Sequence, residues 1–220
     1  MKLLSIMVLV LVVLAAGLTA ARDTSAADPV CPPNPPSPHW VDACSPAGID
    51  EMNSSALVGI DFNFDCVKDA NLTLGPDPLV TPSVKVTRSA PKNDSDNFPG
   101  TRPIDVHLDV IDTEIVSMQL TGGGFTLKVG AQLGLPPSKG AVAEQLTDPK
   151  LADSFFDVFF KFSGNDIPDL YNQGALRVTS VIDRVPPQSV YLHPAPLCLG
   201  LYTSPVPGQG TRVANLVEAK

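Results

Sequence analysis

The sequence predicts an all-β protein: one antiparallel, β-sandwich-like domain with a proline-rich N-terminal leader and at most one short helix. The chain of 220 residues contains 23 prolines and 16 glycines, which divide it into short segments and leave little room for long helices. Several of these segments have apolar residues at every second position, the period of a strand with one buried face. Many short strands separated by turn-rich loops are typical of a sandwich.

The N-terminal residues have the pattern of a secretory signal peptide. Lys2 precedes an apolar run that ends near Leu18, and small residues follow it. We place the signal at 1–27, a proline-rich leader at 28–56 and the β domain at 57–220. The alternative is an uncleaved membrane anchor, which the small residues after the apolar run disfavour. We therefore predict a secreted or extracytoplasmic protein that does not stay on the membrane after cleavage.

All four cysteines follow the predicted signal. An even number in an exported chain indicates two disulfides, and three pairings are possible. We favour Cys31–Cys44, which closes a short proline-rich loop, and Cys66–Cys198, which ties an early strand to the C-terminal region. The cysteines have no C-x-x-C spacing, so a structural zinc site is disfavoured.

The charge of the chain bears on its partners. The formal net charge is −8 and the sequence pI is near 4.7. Such a surface repels a phosphate backbone, which argues against nucleic acid as a partner. We expect no cofactor.

The strand predictions follow the alternation of apolar and polar residues. The clearest is 58–66, "VGIDFNFDC", with its even-numbered residues buried and Asp61 on the solvated face. Residues 104–120 form either two strands with a turn or bulge near 111–114, or one long bent strand. Trp40 docks the leader onto the domain. Further strands are predicted at 71–74, 83–88, 125–129, 175–182 and 212–219, loops at 90–103 and 163–174, a turn at 121–124, and one or two helical turns at 140–148.

The segment 153–162, "DSFFDVFFKF", has aromatic residues in both strand registers. This occupancy favours a central strand covered on both sides, with a loop or the leader over its second face. Asp157 is then either a structural group bonded to Arg177 or to backbone amides, or a catalytic carboxylate whose pKa is raised by burial. The core face is predicted to hold Phe156, Val158, Phe160 and Phe162, and the second face Phe155 and Phe159 beside Asp157 and Lys161.

The stretch "DFNFD" is the first candidate metal site. Its D-x-N-x-D spacing resembles the start of a calcium loop. An EF-hand requires a glycine where Cys66 stands and a glutamate where Leu72 stands. A solvated strand face is the simpler interpretation. The candidate ligands are Asp61, Asn63 and Asp65.

The stretch "DVHLD" is the second candidate metal site. It places a histidine between two carboxylates on one strand face, but no fourth ligand is assignable. A solvated face is again the simpler interpretation. The candidate ligands are Asp105, His107 and Asp109.

Catalytic motifs are missing from the sequence. It contains neither a G-x-S-x-G elbow nor an H-E-x-x-H pattern, so no catalytic residue is predicted. The first functional hypothesis is an exported, non-catalytic structural or binding module whose partners are cell-surface or matrix components. The alternative is a secreted hydrolase or carbohydrate-processing enzyme that uses Asp61, Asp65 or Asp157. Two carboxylates about 5–10 Å apart in a cleft would favour the enzyme.

Three blocks of the chain carry a resemblance to a known group of proteins. They read "IDTEIVSMQLTGG" at 111–123, "LADSFFDVFFKF" at 151–162 and "VIDRVPP" at 181–187. With these blocks in this order, residues 57–200 resemble a family of exported bacterial proteins. The resemblance implies a bacterial, extracytoplasmic origin, and it implies no activity and no functional residue.

Overall fold

A computed structural model describes residues 40–41, 47–93, 109–164, 166–194 and 196–220. The predicted signal peptide and Cys31–Cys44 lie outside these residues. In this part of the chain there is one 3₁₀ turn, Ala131–Leu133, and all other regular structure is β. The strands are β1 Gly48–Met52, β2 Ala56–Asp61, β3 Ala70–Pro76, β4 Val84–Arg88, β5 Lys92–Asn93, β6 Asp109–Gly122, β7 Phe125–Val129, β8 Ser138–Glu144, β9 Ala152–Val158, β10 Lys161–Gly164, β11 Ile167–Asn172, β12 Leu176–Ile182, β13 Leu199–Tyr202 and β14 Arg212–Ala219.

Eight of the described strands close into an antiparallel barrel. Their order is β6-β3-β2-β14-β13-β11-β10-β7, and the β6–β7 hairpin closes the ring. The all-β antiparallel prediction is confirmed, but the strands form a closed barrel with extra strands and not a clear sandwich. Closure gives every barrel strand a partner on both edges, which removes the exposed edges of an open sheet.

Strand β6 also belongs to a second, outer sheet. Its N-terminal half pairs with β4 on one edge and β8 on the other, in the order β1-β4-β6-β8-β9-β12. Over residues 109–120 the long bent strand is therefore the correct one of the two alternatives, while residues 104–108 of the prediction lie outside the described residues. The bulge lies at Val116 and not at 111–114, because Val86 pairs with Ile115 while Lys85 pairs with Ser117. An extra residue at this position bends the strand from the outer sheet into the barrel.

The phenylalanine-rich segment forms two strands where one was predicted. The chain leaves the outer sheet at the end of β9 and enters the barrel at β10, with Phe159 and Phe160 between them. The predicted core face is nevertheless confirmed, since its apolar members all lie in the main core: Phe156, Val158, Phe160 and Phe162.

The second face of β9 is covered in part by a charged side chain. The Arg177 guanidinium lies 4.4 Å from the ring centre of Phe155, a cation–π contact. Phe155 also packs against Val110, Ala141 and Ala143. Most of the predicted leader is outside the described residues, so the prediction that it covers this face stays a prediction.

Three other predictions are wrong. Residues 58–66 were expected to form one strand, but β2 ends at Asp61 and a loop follows. The helical turns expected at 140–148 are replaced by β8, because this segment pairs on both edges, with β6 and β9. The loop expected at 163–174 contains β11, which joins the barrel.

The loop predicted at 90–103 lies mostly outside the described residues, and its described part contains β5. Several other predictions are confirmed. Strands β3, β4, β7, β12 and β14 lie where strands were predicted. Trp40 is fully buried and its indole N–H donates to the carbonyl oxygen of Lys150 at 3.1 Å. Cys66 and Cys198 form the predicted disulfide. Within the described ranges, no helix has the length and apolarity needed to cross a membrane.

Candidate ligand cavity

A cavity of about 180 Å³ lies between the barrel and the inner face of the outer sheet. Its surface is almost entirely apolar. Val58 and Leu127 line it from barrel strands β2 and β7, while Ile115, Phe156 and Val178 line it from β6, β9 and β12 of the outer sheet. Because the outer sheet diverges from the barrel at β6, side chains of the two sheets face each other across a gap that they do not fill.

The period of the strands explains why the wall is apolar. On β9, Ser154, Phe156 and Val158 occupy alternate positions and all three line the cavity. The intervening residues Phe155 and Asp157 contact Arg177 on the outer face. The residues that β4 and β12 contribute also lie in one register each: Val84 and Val86 on β4, and Leu176, Val178 and Ile182 on β12.

Polar residues interrupt the apolar wall: Ser54, Ser55 and Lys220, and two further pairs. The first pair is Asp50 of β1 and Thr113 of β6, and both are buried. Asp50 accepts hydrogen bonds from the Arg88 Nε at 3.2 and 3.1 Å, and neither side chain of this ion pair is more than 1% exposed. Arg88 itself does not line the cavity. Among the described residues, Asp50 and Lys220 are the charged residues that line the cavity.

The second pair is Ser154 and Tyr191, whose hydroxyls are 2.8 Å apart. The Tyr191 ring tilts against Phe156 with a distance of 5.6 Å between ring centres. Burial raises the pKa of Tyr191 to about 12, although the hydrogen bond with Ser154 opposes this shift. The phenol is therefore neutral near pH 7 and cannot act as a base there.

Asp61 of the first candidate metal site is fully buried, contrary to its predicted place on a solvated face. One carboxylate oxygen accepts the backbone N–H groups of Asn63 and Phe64, and the other accepts the N–H of Cys66 and the side-chain amide of Asn215. Burial raises the pKa of Asp61, but these hydrogen bonds outweigh it, and the pKa lies below its usual value. The hydrogen bonds that its carboxylate accepts fix the conformation of the loop after β2.

The other residues of the first candidate site have similar local roles. Asn63 donates to Asp65 through its side-chain amide at 3.1 Å. The sulfurs of Cys66 and Cys198 lie near the Asp61 carboxylate, but they are bonded to each other and are no metal ligands. The geometry of "DFNFD" is that of a loop held by its own side chains.

The second candidate metal site is only partly described. Asp105 and His107 lie outside the described residues. Asp109 begins β6, where it is partly exposed and pairs with Asn93 of β5. The structure therefore does not test whether these three residues lie close together, and this site stays a prediction.

The carboxylates named for the enzyme hypothesis lie in separate places. Asp157 forms a bidentate ion pair with Arg177 on the outer face of the outer sheet, at 2.8 and 2.5 Å. This is the structural role predicted as one of its alternatives. Asp61 and Asp65 lie at the loop after β2. Among the described residues, Asp50 is the one acidic side chain that lines the cavity.

Sequence reasoning missed the polar residues of the cavity. Asp50 fell within the predicted leader, and Tyr191 between the strands predicted at 175–182 and 212–219. Thr113 did give a signal: it stands between Ile111 and Ile115 in the inward register of β6, where a polar residue interrupts an apolar series. Only the pairing of β1 with β4, and of β4 with β6, places Asp50 and Thr113 in one sheet.

Comparison with known proteins supports the fold. No family model matches the chain, and no curated protein matches its sequence. The chain is similar to a solved structure described as "Structure of DynF from the Dynemicin Biosynthesis Pathway of Micromonospora chersina". The TM-score is 0.58 and the sequence identity 15%, over 80% of this chain and 79% of that chain. A likeness at this identity shows a shared fold alone.

Proposed function

We propose that the protein is an exported, non-catalytic binding module that holds a small apolar molecule in the cavity. The observation that carries this proposal is a buried wall that is almost wholly apolar, with no pair of acidic residues facing each other across it among the described residues. Burial of apolar surface away from water is favourable by about 25 cal/mol per Å², so such a wall favours an apolar ligand.

The volume of the cavity sets the size of the molecule. A dry protein cavity of about 150 Å³ binds benzene. The cavity here has about 180 Å³. The favoured ligand is therefore a single substituted ring or a short alkyl chain.

The enzyme hypothesis has less support. Glycoside hydrolysis by the common route requires two carboxyl groups on either side of the scissile bond. Asp50 lines the cavity alone and is bonded to Arg88. Neither the Asp157–Arg177 pair nor the Asp61 loop borders the cavity.

Export is part of the proposal and rests on three observations. The N-terminal residues have the pattern of a signal peptide, and three blocks of the chain resemble exported bacterial proteins. The Cys66–Cys198 disulfide fits an oxidising compartment. Expression of the full chain with a C-terminal tag in a bacterium tests this step, since the mature protein should be found outside the cytoplasm with its N-terminus near residue 28.

Calorimetric titration with p-xylene tests the binding step. We expect saturable binding and a rise in melting temperature with ligand concentration, because the ligand binds only the native state. Val178→Phe, which fills the cavity from β12, should weaken binding at least tenfold. Val181→Phe is the matched control, because this residue is 50% exposed on the same strand.

Two results would overturn the proposal. One is the absence of saturable binding by p-xylene and by 1-hexanol, a chain of similar size. The other is equal affinity of Val178→Phe and the wild type, which would place the bound molecule elsewhere on the protein.

A further inference from the structure

We infer that the cavity selects molecules with a neutral hydroxyl group, which Thr113 and Asp50 bind, and that it discriminates against carboxylates. This inference rests on the proposed function, since it names the ligand class of the same cavity. It adds a polar anchor to a wall that is otherwise apolar.

Thr113 provides the first reason. Its side chain lines the cavity, the residue is 5% exposed, and its Oγ1 has no hydrogen-bond partner among the described residues. Buried hydroxyls are nearly always hydrogen-bonded, because desolvation without a partner is unfavourable. A ligand atom that hydrogen-bonds this hydroxyl would supply the missing partner.

The residue opposite Thr113 on β8 has no side chain that could cover the hydroxyl. Its partner across β8 is Gly140, where a Cβ would come within 2.9 Å of the Thr113 Oγ1 and 2.6 Å of the Phe156 ring. A side chain at 140 would therefore crowd the Thr113 hydroxyl, and glycine avoids this contact.

Asp50 provides the second reason. In the strand register, Arg88 pairs with Thr113, while Asp50 pairs with Val86 two residues before Arg88. Strands β1 and β6 therefore flank β4, and Asp50 and Thr113 both line the cavity from these two strands. A ligand hydroxyl placed between them would have the Thr113 hydroxyl on one side and the Asp50 carboxylate on the other.

The chemistry of these two groups selects the ligand. A hydroxyl donates one hydrogen bond and accepts others, so it can donate to the Asp50 carboxylate and accept from Thr113. An ionised carboxylate only accepts, and it would bring a second negative charge beside Asp50. An ammonium group would leave an excess positive charge in the buried Asp50–Arg88 site, which is also unfavourable.

The test compares 1-hexanol, hexanoate and hexylamine, with ethylbenzene as the apolar reference, by calorimetry on the full chain at pH 7. We expect 1-hexanol to bind at least about tenfold more tightly than either charged analogue. A tenfold ratio in affinity corresponds to the contribution of about one neutral hydrogen bond. Thr113→Val should weaken binding of 1-hexanol roughly five- to tenfold and leave ethylbenzene binding unchanged.

Two further variants separate recognition from stability. Thr113→Ser keeps the hydroxyl and should retain the preference for 1-hexanol. Thr121→Val makes the same change on β6 at a position that does not line the cavity, and should alter neither ligand.

The outcomes distinguish this inference from the proposed function. If ethylbenzene binds but hexanoate or hexylamine binds as tightly as 1-hexanol, the hydroxyl selectivity is wrong and the apolar cavity stands. The same holds if Thr113→Val weakens ethylbenzene and 1-hexanol equally. If neither ethylbenzene nor 1-hexanol binds, both proposals are overturned.

Discussion

The backbone N–H of Phe160 donates a 2.7 Å hydrogen bond to the side-chain oxygen of Asn172. This bond lies where the chain passes from β9 in the outer sheet to β10 in the barrel. The Asn172 amide also donates to the carbonyl oxygens of Val158 at 2.7 Å and Gly174 at 2.9 Å. One buried side chain thus supplies the backbone partners that strand pairing does not provide at this break.

Asn172→Ala should destabilise the protein by about 1–3 kcal/mol, because it leaves buried backbone groups without partners. Urea denaturation of the variant and the wild type measures this loss. Asn71→Ala, at an exposed position of β3, is the control and should change stability by no more than about 0.5 kcal/mol. An Asn172→Ala variant as stable as this control would contradict the role assigned to the side chain.

Phe160→Ala should lower the free energy of unfolding by about 3–5 kcal/mol, the usual loss for a buried phenylalanine. Phe160 is 2% exposed in the main core, whereas Phe159 is only partly buried. Phe159→Ala should cost less, since its backbone N–H bonds to Ser138 whatever its side chain. Denaturation in guanidinium chloride compares the two. A larger loss at Phe159 would show that the faces are assigned wrongly.

The Cys66–Cys198 disulfide should stabilise the fold by about 2–5 kcal/mol, since it closes a long loop in the unfolded chain. Its sequence separation is 132 residues, and it joins the loop after β2 to the segment before β13. Replacing both cysteines with alanine and measuring denaturation tests this value. Thiol titration of the denatured, unreduced wild type should find almost no free thiol. Reactive thiols at these two positions would contradict the bond.

Much of the strand content could be predicted from the sequence, because uninterrupted alternation reports a half-buried strand directly. Strand β7 has the predicted bounds, 125–129. The pattern failed after Asp61, where a buried carboxylate binds loop amides while Phe62 and Phe64 are about half exposed. A hydropathy pattern places a lone aspartate on the solvated face, because it contains no information on the backbone amides that bind the carboxylate in the fold. The turn-forming Asn63 and Asp65 were the available signal.

Closure of the barrel and the cavity depended on information that local patterns lack. Residues 140–144 are small or good helix formers, yet they form β8 because two strands pair with them. Likewise, β6 pairs with different strands along its two halves, and this sharing opens the cavity. Thr113 was visible as a polar interruption, but its relation to Asp50 required the pairing of distant strands.

The last prediction concerns acid stability and Glu218 of β14. Hydrogen bonds from Lys220 at 2.8 Å and Lys68 at 2.7 Å lower the pKa of Glu218 from 4.5 to about 2. Because the pKa is lower in the folded state, the contribution of these pairs to stability is present above pH 4.5 and is lost as the pH falls towards 2.

Glu218→Gln removes this contribution, so its melting temperature should fall less steeply than that of the wild type between these values. Thermal melts at a series of pH values measure the two slopes, and 1 M NaCl should bring them together because all three side chains are partly exposed. Parallel profiles at low salt would show that the two lysines do not hold the carboxylate in its charged form.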